Sequence, residues 1–155
     1  MDQIKKLREK TRAGVMDCRR ALEEAKGDMK KAETLLTKWD VQKAEMKTDR
    51  ETKAGVIEAY VHAGAKVGAM IELQCETDFV ARTDEFKHLA HELCLQVASM
   101  NPKDVSALLR QAYIRDLSIT VDQLVKQTIG KLGENIKVVR LIRFELGKSI
   151  INTRC

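Results

Sequence analysis

The sequence predicts an α+β protein: an N-terminal three-helix bundle, a helical linker, and a core module in which helices pack on an antiparallel sheet. Three observations carry that reading. Apolar residues repeat at helical spacing through residue 39. They switch to strict alternation after residue 54. Helical spacing then returns twice before a last alternating run near the C-terminus.

Ile4 and Leu7 share one face of a first helix, which Arg12-Ala13-Gly14 interrupts. Cys18, Ala21, Leu22 and Ala25 fall at i, i+3, i+4 and i+7, the stripe of a half-buried second helix. Lys26-Gly27 stops it, and Asp28 is placed to N-cap a third. Ala32, Leu35, Leu36 and Trp39 repeat the same stripe. Residues 1–39 are therefore expected to form a small bundle of marginal size. Residues 40–54 carry few apolar groups. Thr48 and Glu51 fit a capping box, so a short exposed helix in a linker is expected there.

The core module is expected over 55–148. Ile57, Ala59, Val61 and Ala63 alternate with Glu58, Tyr60 and His62. Beyond Gly64-Ala65-Lys66, Val67, Ala69, Ile71 and Leu73 alternate with Gly68, Met70, Glu72 and Gln74, making a β-hairpin with one face on a core. Phe86, Leu89, Ala90, Leu93 and Val97 mark a helix over 84–99 that Asn101-Pro102 ends. Residues 103–119 give no clear pattern. Thr120 and Gln123 fit a capping box, followed at helical spacing by Val121, Leu124, Val125, Thr128, Ile129 and Leu132. Ile136, Val138, Ile142, Phe144 and Leu146 share one face of a final strand, with Arg140 the exception. Residues 149–155 form a tail.

Lys and Arg number 28 and Asp and Glu 23, a net charge of +5 with both signs interspersed, which reads as a solvated surface and not as a nucleic-acid stripe. Eight Gly and one Pro argue against disorder. Cys18, Cys75, Cys94 and Cys155 form no Cys-x-x-Cys pair and suit a reducing compartment. The start, MDQIKKLREK, has no apolar stretch of a secretory signal. No apolar run approaches the roughly 20 residues that span a bilayer. These features predict a cytoplasmic protein without a membrane partner.

Few motifs carry chemistry. His88, His91 and Cys94 lie three apart, so successive side chains swing about 60° around a helix and do not converge on a metal. No Walker loop, nucleophile elbow or paired-carboxylate pattern stands out, so no enzyme, metal site or cofactor is expected. Gly130-Lys-Leu-Gly133 is similar to the G-x-x-G loop that clamps a nucleic-acid backbone in KH domains. The strand pattern after it favours a helix C-cap and turn instead. Thr77-Asp78-Phe79-Val80 sits between strand and helix. On pattern alone the expected arrangement is a hydrophobic staple, with Phe79 or Val80 packed on the following helix and Asp78 capping a backbone NH. The alternative is an exposed aromatic anchor flanked by a carboxylate.

Three blocks decide between these. IKKLREKTRAGVMDCRRALEEA at 4–25, ELQCETDFVAR at 72–82 and IGKLGENIKVVRLIRFELG at 129–147 resemble, in this order, the elongation factor Ts family. They cover less than half of the chain. The resemblance implies a UBA-like bundle followed by an α+β core, and guanine-nucleotide exchange on elongation factor Tu. It implies that Asp78 and Phe79 intrude beside the partner's Mg²⁺ and phosphates, with Thr77 and Val80 shaping the turn. Arg12, Ala13, Gly14, Val15 and Met16 match the segment that contacts the partner's G domain. No direct nucleic-acid contact is implied. An RNA-binding module using the Gly130–Gly133 loop and a bare adaptor are the competing functions.

Two departures stand out. The family's Thr-Gly-Ala-Gly is here Thr11-Arg12-Ala13-Gly14, so a positive φ at that glycine would leave Arg12 mildly strained. The chain also lacks the longer insertion or second core module of many members, which would leave surface uncovered, and a homodimer is expected. Cys155 is expected to be a free tail thiol.

Overall fold

A computed structural model describes residues 2–149, and the change of period near residue 54 is the change from helices to sheet. Helices α1 (Asp2–Thr11), α2 (Val15–Glu24) and α3 (Met29–Glu45) come first. Leu7, Cys18, Ala21, Leu22, Ala25, Ala32 and Leu36 form their shared core. Asp28 caps α3, its carboxylate accepting from the Lys31 NH at 3.1 Å.

The helix α3 runs past Trp39 into the segment read as a linker. Its first half buries Ala32 and Leu36 in the bundle, while Ala44 joins the core of the following module. The exposed helix that Thr48 and Glu51 predict does not form. The Thr48 hydroxyl instead donates back to the Ala44 and Glu45 carbonyls, and the chain turns directly into a strand. A single buried alanine in a polar run carried too little signal to reveal this.

Strands β1 (Ala54–Val61) and β2 (Val67–Cys75) form the expected hairpin. With β5 (Ile136–Glu145) they make an antiparallel sheet of order β1-β2-β5. Ala69, Ile71 and Leu73 face inward as alternation predicts, and Cys75 continues the row. Two expectations about faces fail. On β1 the inward residues are Val56 and Tyr60, while Ile57 and Val61 are exposed. On β5, Leu73 pairs with Val138 but Glu72 pairs with Arg140, so Val139 is an extra residue in a β-bulge. The bulge reverses side-chain parity. Ile136, Val138 and Leu141 face the core, and Ile142 and Phe144 fall on the other face.

One face of the sheet is covered by α5 (Asp84–Met100) and α7 (Val121–Leu132), around Phe86, Leu93, Val97, Val125 and Ile129. Thr83 caps α5 and Asn101, at φ +45°, closes it. Residues 103–119 resolve into α6 (Val105–Arg110) and a small hairpin, β3 (Ala112–Tyr113) with β4 (Asp116–Thr120). Buried Glu92 on α5 anchors this hairpin, accepting from the Tyr113 hydroxyl at 2.5 Å and from Arg115. Burial alone would raise the Glu92 carboxyl, but bonds from Arg115 and Tyr113 outweigh it and hold it below its ordinary range. The architecture is α+β, as the sequence predicts. Apart from Ser149, the tail with Cys155 lies outside the described residues.

Candidate functional site

The stretch between β2 and α5 is not a plain connector. Residues Asp78–Ala81 form a one-turn helix, α4. Thr77, extended and just before it, accepts the Val80 NH at 3.4 Å on its hydroxyl. Val80 and Ala81 point inward, each 5% exposed, and join the main core. With those two buried, helical geometry sends the preceding Phe79 the other way, and it is 81% exposed. Of the two apolar residues Val80 is therefore the buried one, and Thr77, not Asp78, supplies the cap.

The turn is held from both sides. Beyond it, the Thr83 hydroxyl donates to the Val80 carbonyl at 2.7 Å. Before it, the Cys75 thiol donates to the Thr77 carbonyl at 3.2 Å. Burial, and then the negative charge of Glu134, push the Cys75 pKa up to about 11, so the thiol stays protonated and serves as a donor, not a nucleophile. From across the module, the Glu134 carboxylate accepts the backbone NH of Glu76 at 3.1 Å and of Thr77 at 3.0 Å. It also accepts the Thr77 hydroxyl at 2.6 Å. Asn135 returns the contact, its NH donating to Glu76 Oε1 at 2.8 Å. Its buried side chain donates to the carbonyls of Thr48 and Arg50.

Glu76, Glu134 and Asn135 were not singled out by sequence reasoning. Glu134 lies 57 residues from Thr77, and no periodicity joins them. The one signal is a carboxylate directly after Gly133, inside an otherwise apolar and basic run.

The N-terminal segment Arg12–Met16 comprises the loop between α1 and α2, residues 12–14, and the first two residues of α2. Ala13 is buried, and the Thr11 hydroxyl bonds to the Leu7 carbonyl and the Ala13 NH. Val15 and Met16 are exposed at the start of α2. Arg12 adopts φ +56°, the left-handed conformation for which a glycine would be the unstrained choice. Its guanidinium reaches Glu85 in the first turn of α5 at 3.3 Å. This pair joins the bundle loop to the element that follows Phe79. Both partners are largely exposed, so it contributes little energy.

The Gly130–Gly133 segment lacks the geometry of a clamp. Gly130 lies inside α7, not in a loop. A Cβ there would fall 2.5 Å from the Asp40 Cα, so glycine is what lets α7 approach α3. Gly133, at φ +77°, is the C-cap, and the strand β5 follows. Burial raises the carboxyl of Asp40 at this crossing, opposed by Lys43 and Lys131. His88 is exposed, His91 lies 3.3 Å from Glu58, and the buried Cys94 thiol donates to the Ala69 carbonyl, so these three do not meet.

The molecule thus exposes an aromatic ring on a turn held from both sides, and Val15 and Met16 at the start of α2. The sequence model of the family described as Elongation factor TS matches residues 76–153. Elongation factor Ts of Thermotoga maritima is 42% identical over 191 aligned positions, covering 96% of this chain and 96% of that protein. Those of Methylacidiphilum infernorum and Thermoanaerobacter pseudethanolicus are 39% and 38% identical, over 96% and 95% of this chain and 96% and 94% of theirs. The chain belongs to the elongation factor Ts family. The alignments run longer than its 155 residues, so these relatives carry residues that it lacks.

Proposed function

We propose that this chain is a guanine-nucleotide exchange factor of translation, acting in the cytoplasm on elongation factor Tu in its GDP-bound and nucleotide-free forms. The observation that carries this reading is the exposed Phe79 on a turn tied at both ends. Residues 12–16 dock on the partner's nucleotide-binding domain. Asp78 and Phe79 enter beside its Mg²⁺ and phosphates.

GDP and Mg²⁺ are held in such sites by charge-assisted bonds and a preformed loop. Loosening them needs no proton transfer and no nucleophile from this chain, so it acts by binding and not as an enzyme. It must bind the nucleotide-free partner more tightly than the GDP-bound one. By linkage, nucleotide affinity then falls by the same factor. The clamped turn supports that role because its ordering cost is met before the partner arrives. Asp78, exposed at the start of α4, brings negative charge toward the phosphates.

The test is release of a fluorescent GDP analogue from elongation factor Tu, alone, with the native chain and with Phe79→Ala. The native chain should accelerate release, and the variant should lose about tenfold or more of that acceleration. Equal acceleration by the variant would remove Phe79 from the mechanism. Binding without acceleration would make the chain an adaptor.

We also infer that the chain pairs with a second copy through the face of its sheet that no described helix covers. Val61, Gly68 and Phe144 form one cross-strand row there, and Ala59, Met70 and Ile142 the next. Two such faces can bury each other by sheet-on-sheet packing. Sedimentation at micromolar concentration should give twice the 17.5 kDa chain mass, and a single-chain mass would overturn the pairing.

A further inference from the structure

A four-residue helix cannot hold its own shape, because nucleating one turn fixes several dihedrals for a single hydrogen bond. What keeps α4 folded is therefore what grips it from outside. On its C-terminal side the grip is local, from Thr83. On its N-terminal side the grip is Glu134, from the far end of the module.

We propose that Glu134 is a positioning residue for exchange: it locks the Thr77 cap, and through the cap it fixes the direction in which Phe79 projects. This rests on the exchange reading given above. The chemistry is specific. A threonine hydroxyl has one proton and rotates freely. With Glu134 Oε1 at 2.6 Å, the proton goes to the carboxylate. A lone pair is then left facing the Val80 NH at 3.4 Å. The other carboxylate oxygen takes the NH groups of Glu76 and Thr77, which fixes the backbone entering the cap. Charge-assisted bonds of this kind are the stronger class.

Glu134 is itself held in place. It follows the Gly133 C-cap of α7 and precedes Asn135, which is 3% exposed and bound to the Thr48 and Arg50 carbonyls. Arg50 adds a contact to Glu76 at 3.5 Å. The base of the projecting ring is thus a knot of three segments: the exit from α3, the end of β2, and the turn between α7 and β5.

The test is a double-mutant cycle in the GDP-release assay, with native chain, Phe79→Ala, Glu134→Ala and the double variant. Glu134→Ala should lower the maximal release rate about fivefold to tenfold, the loss of a held orientation, while the concentration for half-maximal effect stays within about twofold. On the Phe79→Ala background the same substitution should change the rate by less than about twofold, because Glu134 acts through the ring. Equal losses on both backgrounds would overturn the proposal. A shift in half-maximal concentration at unchanged maximal rate would overturn it too, since that marks a direct docking contact. If Glu134→Ala fails to fold, Glu134→Gln carries the same cycle. Hydrogen exchange of the free protein reads the holding role apart from any partner: the Val80 and Ala81 amides should exchange faster in the Glu134 variant, with α7 unchanged. A native chain that accelerates nothing would sink the exchange reading, and unchanged amide protection would then sink the holding role as well.

Discussion

Met16 and Phe79 are both exposed, at 69% and 81%, but the backbones beneath them are held in different ways. Under Met16 the bonds to the backbone are local. Thr11, Ala13 and Cys18 bond within a window of a few residues, and Ala13 plugs the bundle core. Under Phe79 the decisive bonds come from 57 and 58 residues away. A locally closed loop can move with its bundle, whereas a turn knotted across the module moves only if the module distorts. The first suits docking and the second suits pushing, which is why the proposed mechanism gives the displacement of nucleotide to Phe79.

The strongest way to break this contrast is Phe79→Ala, whose loss of exchange should reach about tenfold with stability unchanged within about 0.5 kcal/mol. Thermal unfolding beside the release assay checks both halves, and a large loss of stability would show that the ring is structural. Gly130→Ala comes next. Its Cβ would meet the Asp40 backbone at 2.5 Å, so α3 and α7 must part, destabilising by about 1–3 kcal/mol in denaturant titration. An unchanged midpoint would mean that the two helices slide apart freely, and the bundle would then not be fixed on the core. Met16→Ala should weaken association about fivefold, roughly 1 kcal/mol, and leave the maximal release rate alone. A fall in that maximum would erase the distinction between docking and pushing.

The smallest effect is expected for Arg12→Gly. The left-handed Arg12 costs about 1–2 kcal/mol, against the extra freedom of an unfolded glycine at about 0.5–1 kcal/mol. Loss of the exposed pair with Glu85 adds at most about 1 kcal/mol. The net change in unfolding free energy should stay below about 1 kcal/mol. A loss of 2 kcal/mol or more would show that the Glu85 pair holds the bundle to the core.

The helices of the bundle and the inward face of β2 were readable because burial repeats at the period of the element, and the caps at Asp28 and Thr120 are local chemistry. The crossing of α3 over the expected linker was not readable, since one glycine on a distant helix makes it possible. Nor were the outward faces of Ile57 and Phe144, which look like core residues until pairing and the bulge are known. In the candidate site, the residues to be presented were legible as a motif. The residues that present them were not, because a carboxylate such as Glu134 has no period and meets its partners only through the fold.

The extra residue at Val139 works like a frameshift in the reading of β5. Before it, even-numbered side chains enter the core. After it, odd-numbered ones do, and Ile142 and Phe144 are delivered to the opposite surface. One inserted residue thus lets a single strand serve two apolar layers in succession. Strict alternation through residue 139, without the bulge, would instead turn Arg140 inward and Leu141 out. The apolar rows through which pairing with a second copy is proposed are in this sense written as a single unit of length.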